Sequence, residues 1–374
     1  MIAALRRAYA AFRGFDDETG SVPMMDGPLR PNARLDAAPV VLTLPEVDNL
    51  STWRDGLICS SGRETLRLVG SKDSLAIAER RVFEATVSCI ATERGGGLAL
   101  GLDGRGVLIA EGPHAGRRIG EVGGRALICP TAALFDGPDR LVIASGAASV
   151  TTADWKRDLM ERGDSGSLWS ADLAQADSAP ELIADGLAFP SGLALAPGGG
   201  LFVSEAWRHR VVGIDGPSRG APRALVRDLP AYPGRIASRL AGGFWLAMFA
   251  PRNQLVEFVL REDGYRRRMI DSIDPAYWIA PALTSGASFL EPIQGGARKK
   301  LNRLKPWSPS WSYGLVAQCD GAMRPIASFH SRADGRAHGV TSCCEWDGAL
   351  YAAARGSGIV VAIDIAGTEG EVAA

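Results

Sequence analysis

The stretch FPSGLALAPGGGLFVSEAWRHRVVGID at 189–215 returns in register about forty residues later as YPGRIASRLAGGFWLAMFAPRNQLVEFV at 232–259, and a repeat of that period restricts the chain to folds built by copying one supersecondary unit. Each copy runs aromatic-Pro, two small or polar residues, an aliphatic residue, a Gly-rich turn, a strand of alternating large residues, a polar turn and a second strand. Weaker copies at 47–69, 87–110, 129–154 and 337–364 keep that order. Aligned on the aliphatic residue that opens each, the six copies begin at Leu50, Ile90, Ala132, Leu193, Ile236 and Val340. A four-stranded sheet repeated at this interval around an axis is the blade of a β-propeller. The chain is therefore expected to be all-β, with six blades.

Two of the intervals are long. They place insertions in blades 3 and 5: the polar run DWKRDLMERGDSG (154–166) and the basic, Trp-rich segment from Arg266 to Trp311. Such insertions collect on the loops of one face, often the binding face. With 374 residues, 45 of them Gly, the chain is expected to divide into an extension (1–37), one closed propeller (38–366) and a short tail (367–374). The segment APVVLTL (38–44) is expected to supply the outer strand of the blade whose inner strands come from 337–364, because closure by a terminal strand removes an exposed sheet edge. The extension begins MIAALRRAYAAFRGF, which suits a short amphipathic helix; its apolar run is too short and too interrupted by arginines for a secretory signal or a membrane span.

A formal net charge of −1 argues against a nucleic-acid or membrane partner, and the basic runs at 266–268 and 297–300 are expected to be solvated loops. None of the six cysteines forms a C-x-x-C pair. Without an export signal they are expected to be reduced and buried, in a cytoplasmic protein. His114 and His330 are expected in loops, His209 in a turn, and the GGG runs at 95–97 and 198–200 in turns, since neither leads into a helix with a lysine.

The residues that the six repeats aim at the axis are expected to be Asn49, Ser88, Thr131, Ser191, Arg235 and His338, with Asp48 at the edge of the set. One cation, one imidazole and several hydroxyl or amide groups make a cup for an anionic or carbonyl-bearing small molecule. Arg235 would grip a carboxylate through its two-pronged guanidinium. His338 would act as general acid and base. No G-x-S-x-G elbow is present, so Ser191 becomes a nucleophile only if it meets His338 across the axis. Trp207, Phe249, Trp307, Trp311 and Tyr313 are the expected rim. Two structural alternatives stay open: Arg235 pairing with Asp48 or Glu205, and His338 as a satisfied core residue.

The phrases FPSGLAL, DLPAYPGRI and GGFWLAM within 189–259, and EWDGALYAAARGSGIVVAID at 345–364, resemble the strictosidine synthase-like proteins, relatives of the gluconolactonase and paraoxonase propellers. The resemblance spans roughly residues 40–365. It implies a six-bladed propeller whose relatives host C–N bond formation or ester and lactone hydrolysis. Family hydrolases hold an axial divalent cation through PNG-type and PDN-type phrases; here those positions read Pro190-Ser191-Gly192 and Pro233-Gly234-Arg235. A hard cation wants six to eight oxygens, and Arg235 would repel it while only Asp48, Asn49 and Glu46 remain, so no metal and no other cofactor is expected. The condensing enzymes place a glutamate where this chain has His338, so the tryptamine-condensing reaction is not expected. The chain then reads as a metal-independent hydrolase of a small ester or lactone. The alternatives are a C–N bond-forming or bond-cleaving enzyme and a non-catalytic small-molecule sensor.

Overall fold

The computed structural model describes residues 22–175, 178–215, 220–285 and 312–365. Six four-stranded antiparallel sheets form the ring. Blade 1 consists of Val47–Trp53, Gly56–Ser61, Glu64–Ser71 and Ser74–Val82, and blade 2 of Val87–Thr92, Leu98–Leu102, Gly106–Glu111 and Arg118–Ile119. Blade 3 is Pro130–Phe135, Arg140–Ser145, Gly166–Asp172 and Glu181–Leu187; blade 4 is Pro190–Leu195, Leu201–Glu205, Arg210–Ile214 and Arg223–Val226. Blade 5 is Ala231–Ser238, Phe244–Pro251, Gly314–Cys319 and Pro325–Ser331, and blade 6 is Val340–Trp346, Ala349–Ala354 and Ile359–Asp364. The fourth strand of blade 6 is Val40–Thr43, which pairs antiparallel with the third through Val40↔Val361 and Thr43↔Ile359. The ring is thus closed by its own N-terminal strand, as the 38–44 segment led us to expect.

A blade packs a neighbour on each side, so its inner strands bury both faces. Phe244–Pro251 and Ala349–Ala354 are buried throughout, which is why they read as continuous apolar runs rather than alternating ones. All six cysteines are free and buried in this packing. No described helix is long and apolar enough to cross a membrane. The described part of the N-terminal extension lies along the outer strand of blade 5. There Asn32 Nδ2 donates to the Ser328 carbonyl at 2.9 Å and Ser328 Oγ donates to the Pro28 carbonyl at 2.7 Å. The helix expected at its start lies outside the described residues.

One repeat departs from expectation. QLVEFV, read as the second strand of the 232–259 copy, is a helix spanning Gln254–Arg261. Asn253 caps it by accepting from the Leu255 N–H at 2.8 Å, and burial of Val256 and Val259, three apart, gives it a helical period. A second helix, Asp263–Ser272, follows, and blade 5 resumes its sheet only at Gly314. The insertion of blade 3 also carries a helix, Trp155–Met160. Both insertions leave their blades between the second and third strands, and side chains from both reach the cavity described next.

Candidate functional site

The first strand of every blade breaks register with the second near its start: at Asp48/Ser51, Val87/Cys89, Pro130/Ala132, Pro190/Gly192, Pro233/Ile236 and Val340/Ser342. A bulge leaves a residue unpaired and re-aims its side chain. The residues so released are Asn49 with Leu50, Ser88, Thr131, Ser191, Gly234 with Arg235, and Thr341. Their side chains step from each blade to the next. Asn49 Nδ2 donates to the Val87 carbonyl at 3.1 Å, Ser88 Oγ to Pro130 at 2.6 Å, Thr131 Oγ1 to Pro190, Ser191 Oγ to Pro233 at 2.9 Å, and Arg235 Nη1 to Thr341 at 3.4 Å. The series stops at blade 6, where Thr341 Oγ1 is buried without a partner among the described residues.

This girdle gives the hydroxyls a structural task. The Ser191 proton is committed to the Pro233 carbonyl, and its other close neighbour is Ser204 Oγ at 3.2 Å, itself donating to the Gly234 carbonyl. Ser191→Ala is expected to cost about 1 kcal/mol of stability, the worth of one hydrogen bond, and to leave kcat within about twofold. Denaturant unfolding and initial rates on the same preparations check both.

Above the girdle lies a cavity of about 280 Å³. Asp48, Ser88, Thr131, Ser191, Arg235 and Thr341 line it, Arg355 adds a second cation, and Trp155, Phe189, Trp207 and Phe249 form an aromatic wall. Glu46 and Asp103 complete its charged lining. Arg235 reaches from blade 5 across the axis: Nη1 is 3.0 Å from Asp48 Oδ1 on blade 1, and Nη2 donates to the Ser88 carbonyl on blade 2 at 2.7 Å. Arg355 donates to Asp48 Oδ2 at 3.2 Å. Asp48 Oδ1 also accepts from the Asn49 N–H at 2.6 Å. Of the four lone-pair directions of a carboxylate, Oδ1 uses two and Oδ2 one, so one on Oδ2 has no partner among the described residues. The wall is ordered: Phe189 stacks on Trp207 with centroids 4.5 Å apart, and Trp155 stacks on Trp207 at 6.0 Å. Phe189 holds φ at +55°, a conformation that a bulky residue adopts only under compulsion from its surroundings.

Of the residues expected at the axis, Ser88, Thr131, Ser191 and Arg235 line the cavity, together with the rim residues Trp207 and Phe249. Asn49 is buried beneath it in the girdle. Arg235 pairs with Asp48; Glu205 instead takes Arg208 and Arg210. His338 is a correction, since it is not among the cavity residues. Its Nε2 donates to the Arg332 carbonyl at 2.7 Å and its Nδ1 accepts from Ser312 Oγ at 2.7 Å. With both nitrogens engaged and burial lowering its pKa, it is a neutral structural residue that does not meet Ser191. Tyr313 likewise stays out of the cavity lining, bonded through its hydroxyl to His330 Nδ1 at 3.1 Å. Trp307 and Trp311 lie outside the described residues.

The position facing the axis in blade 6 is Thr341. The triplets Val87-Ser88-Cys89, Pro130-Thr131-Ala132, Pro190-Ser191-Gly192 and Val340-Thr341-Ser342 share a Val or Pro, a hydroxyl and a small residue, and that pattern would have found it. Trp155, Phe189, Asp103 and Arg355 were not anticipated. Arg355 carried a faint signal as the cation that ends the apolar strand ALYAAA.

The donors do not fit the divalent cation held by hydrolases of this fold. Asp48 is the one carboxylate in the girdle, each of its oxygens meets a guanidinium, and Asn49 Oδ1 adds a single neutral oxygen. A hard cation seeks several charged oxygens and would face Arg235 at contact distance.

His330 is fully buried, donating from Nε2 to Ser328 Oγ at 2.8 Å and accepting at Nδ1 from Tyr313. Burial lowers its pKa to about 4. Between that value and the unfolded value of about 6.5, the unfolded chain binds the extra proton. The stabilisation is therefore complete above pH 6.5 and disappears as pH falls toward 4, a loss of about 3 kcal/mol from this residue. His209 and His338, also lowered by burial, act in the same direction. Unfolding free energies measured from pH 7.5 to 4.5 are expected to fall with this sign, and His330→Gln is expected to flatten the slope.

No family model and no curated protein matches this chain. Among solved structures, it is similar to a structural-genomics protein assigned as a gluconolactonase, with 13% identity, a TM-score of 0.51, and coverage of 88% of this chain and 90% of that one. It is also similar to a gluconolactonase from Xanthomonas campestris described as important in glucose secondary metabolic pathways, at 13% identity and TM-score 0.51, covering 92% and 96% of the two chains. The likeness is one of fold alone. The strictosidine synthase-like character expected from sequence is not what these neighbours carry.

Proposed function

We propose that the protein hydrolyses a small ester or lactone bearing a flat apolar group, and that it does so without a bound metal. The observation that carries this is Asp48, fixed between Arg235 and Arg355 in a cavity that Phe189 and Trp207 also line, with one lone pair of Oδ2 left without a partner among the described residues. The substrate's apolar ring lies against Phe189 and Trp207, and its carbonyl oxygen accepts from the guanidinium groups. Water bound to Asp48 gives up its proton to Oδ2 as its oxygen attacks the carbonyl carbon. Charge developing on the carbonyl oxygen is met by Arg235 and Arg355, in the manner of an oxyanion hole. The intermediate then collapses with cleavage of the acyl C–O bond, and Asp48 returns the proton to the departing alkoxide. The gluconolactonase neighbours favour this reaction class through their scaffold alone. A C–N bond-forming reaction of strictosidine synthase type finds no support in the cavity, where the His338 position is absent. The cytoplasm is the compartment we infer from the reduced cysteines.

The test is hydrolysis of a panel of aryl esters and aromatic lactones by protein treated with a chelator. Turnover that survives chelation and fails in Asp48→Asn supports the proposal; turnover that needs added Ca²⁺ overturns it. The commitment of the Ser88, Thr131 and Ser191 hydroxyls to the girdle favours a second possibility, binding without turnover. A panel member that binds wild type and Asp48→Asn alike and is never cleaved would establish that one.

A further inference from the structure

Trp207 is the ring on which the aromatic wall is built. Phe189 stacks on it at 4.5 Å and Trp155 at 6.0 Å, while Tyr232 and Phe249 meet it edge-on at 6.1 and 6.4 Å. It lines the axial cavity and also a second cavity of about 290 Å³, which the proposed reaction does not use. A side chain bordered by two cavities lacks packing atoms on those sides, so packing fixes its plane less firmly than it fixes a core residue. A directional contact has to do the rest.

That contact comes from the blade 3 insertion. Trp207 Nε1 donates at 2.7 Å to Asp158 Oδ2. Asp158 lies three residues after Trp155 on the Trp155–Met160 helix, so one short helix supplies a ring of the wall and the acceptor that holds its neighbour. Asp158 is 4% exposed and lines neither cavity. The turn after the helix folds over it: Gly163 N–H donates to the Asp158 carbonyl at 2.8 Å, and a Cβ at Gly163 would come within 2.1 Å of Asp158 Oδ1. Burial raises the pKa of this carboxyl, the Trp207 hydrogen bond lowers it, and Glu161 and Asp164 add to the rise. Burying a carboxylate is costly unless hydrogen bonds or a counter-charge offset it. Among the described residues, the side-chain partner of Asp158 is the Trp207 indole, through a charge-assisted bond. An acid buried to hold one ring points to a ring whose orientation matters.

We propose that Asp158 is a positioning residue that fixes the Trp207 ring and thereby sets the preference of the axial cavity for flat aromatic substrates over aliphatic ones; this rests on the substrate ring lying against Phe189 and Trp207, as in the reaction proposed above. Titration calorimetry with 2-naphthoate and with octanoate compares a flat and a flexible ligand of the same charge, and needs no turnover. Wild type is expected to favour 2-naphthoate. Asp158→Leu is expected to lower the ratio of the two affinities at least about fivefold, the worth of one hydrogen bond, with octanoate binding within about twofold of wild type. Asp158→Asn, whose amide oxygen still accepts from the indole, is expected to keep the ratio within about twofold. A residue that only braced the helix would change both affinities together or neither. Asp158→Ala removes the acceptor without added bulk beside Gly163 and replaces the leucine variant if that one melts early. A preference that persists in the variants without the acceptor, or that wild type does not show, overturns the proposal. A preference that disappears with the acceptor, in a protein that cleaves no ester, supports the role of Asp158 and removes the hydrolytic reading instead.

Discussion

Asp48→Asn is expected to lower kcat for ester or lactone hydrolysis by about 10²–10⁴, the usual worth of a positioned general base, or about 3–5 kcal/mol of transition-state stabilisation. An asparagine keeps the size of the side chain and an acceptor for the Asn49 N–H, but it cannot take a proton from water. KM is expected to move little, because Arg235 and Arg355 still present donors to the substrate carbonyl. The replaced carboxylate also meets two guanidinium groups at 3.0 and 3.2 Å, so loss of chemistry has to be separated from loss of fold. Arg355→Ala separates the two. It removes a neighbour of Asp48 without removing the base, and is expected to lower kcat/KM by about ten- to a hundredfold through loss of carbonyl stabilisation. If Asp48→Asn retains its melting temperature and full kcat, Asp48 is a structural clamp on Arg235 and the hydrolytic mechanism is wrong.

The repeat made the ring legible because each inner strand must bury both faces, and that requirement writes an apolar run followed by a Gly turn into every copy. The closing strand was legible for a similar reason, as an isolated β-prone segment that would otherwise leave an edge. Within the site, Ser88, Thr131, Ser191 and Arg235 could be named because the position before the buried run faces the axis. His338 was misplaced because the alignment took Val340 as the residue that opens blade 6: the triplet matching Val87-Ser88-Cys89 is Val340-Thr341-Ser342, so the axial position falls three residues further on. Thr341 is the residue that the bulge of blade 6 releases. The aromatic wall was only half legible, since Trp207 follows an inner strand and Phe249 lies on one, whereas Trp155 arrives on a helical insertion and Phe189 through a backbone conformation that no propensity announces. The helix at Gln254–Arg261 was hidden because QLVEFV alternates well enough for a strand, and only its Asn253 cap and the three-residue spacing of Val256 and Val259 favour the helix.

Trp245→Ala is expected to destabilise the protein by about 3–5 kcal/mol, the cost of removing a large buried aromatic side chain, while leaving the axial cavity unchanged in the folded fraction. Trp245 is fully buried in the second strand of blade 5, with Phe329 edge-on at 5.7 Å and the Arg239 guanidinium 5.1 Å from its ring centre. Its indole N–H donates at 2.8 Å to Glu345 Oε1, and Glu345 is itself buried on the first strand of blade 6. The ring therefore joins blades 5 and 6 twice, through apolar contact and through a hydrogen bond to a charged acceptor. Alanine leaves a void among close-packed strands that cannot relax into it, and it also deprives a buried carboxylate of one donor. Glu345 keeps the Leu240 N–H at 2.6 Å and Arg239 Nε at 3.6 Å, which holds the loss within the range given. Trp245→Phe separates the two contributions: it retains most of the apolar contact and loses the hydrogen bond, so it is expected to cost about 1–3 kcal/mol. Urea unfolding of the three proteins, with ester hydrolysis measured below the transition, provides the comparison. A Trp245→Ala variant as stable as the parent would mean that blades 5 and 6 do not depend on this contact, and one that is stable but inactive would place Trp245 in the chemistry instead of the core.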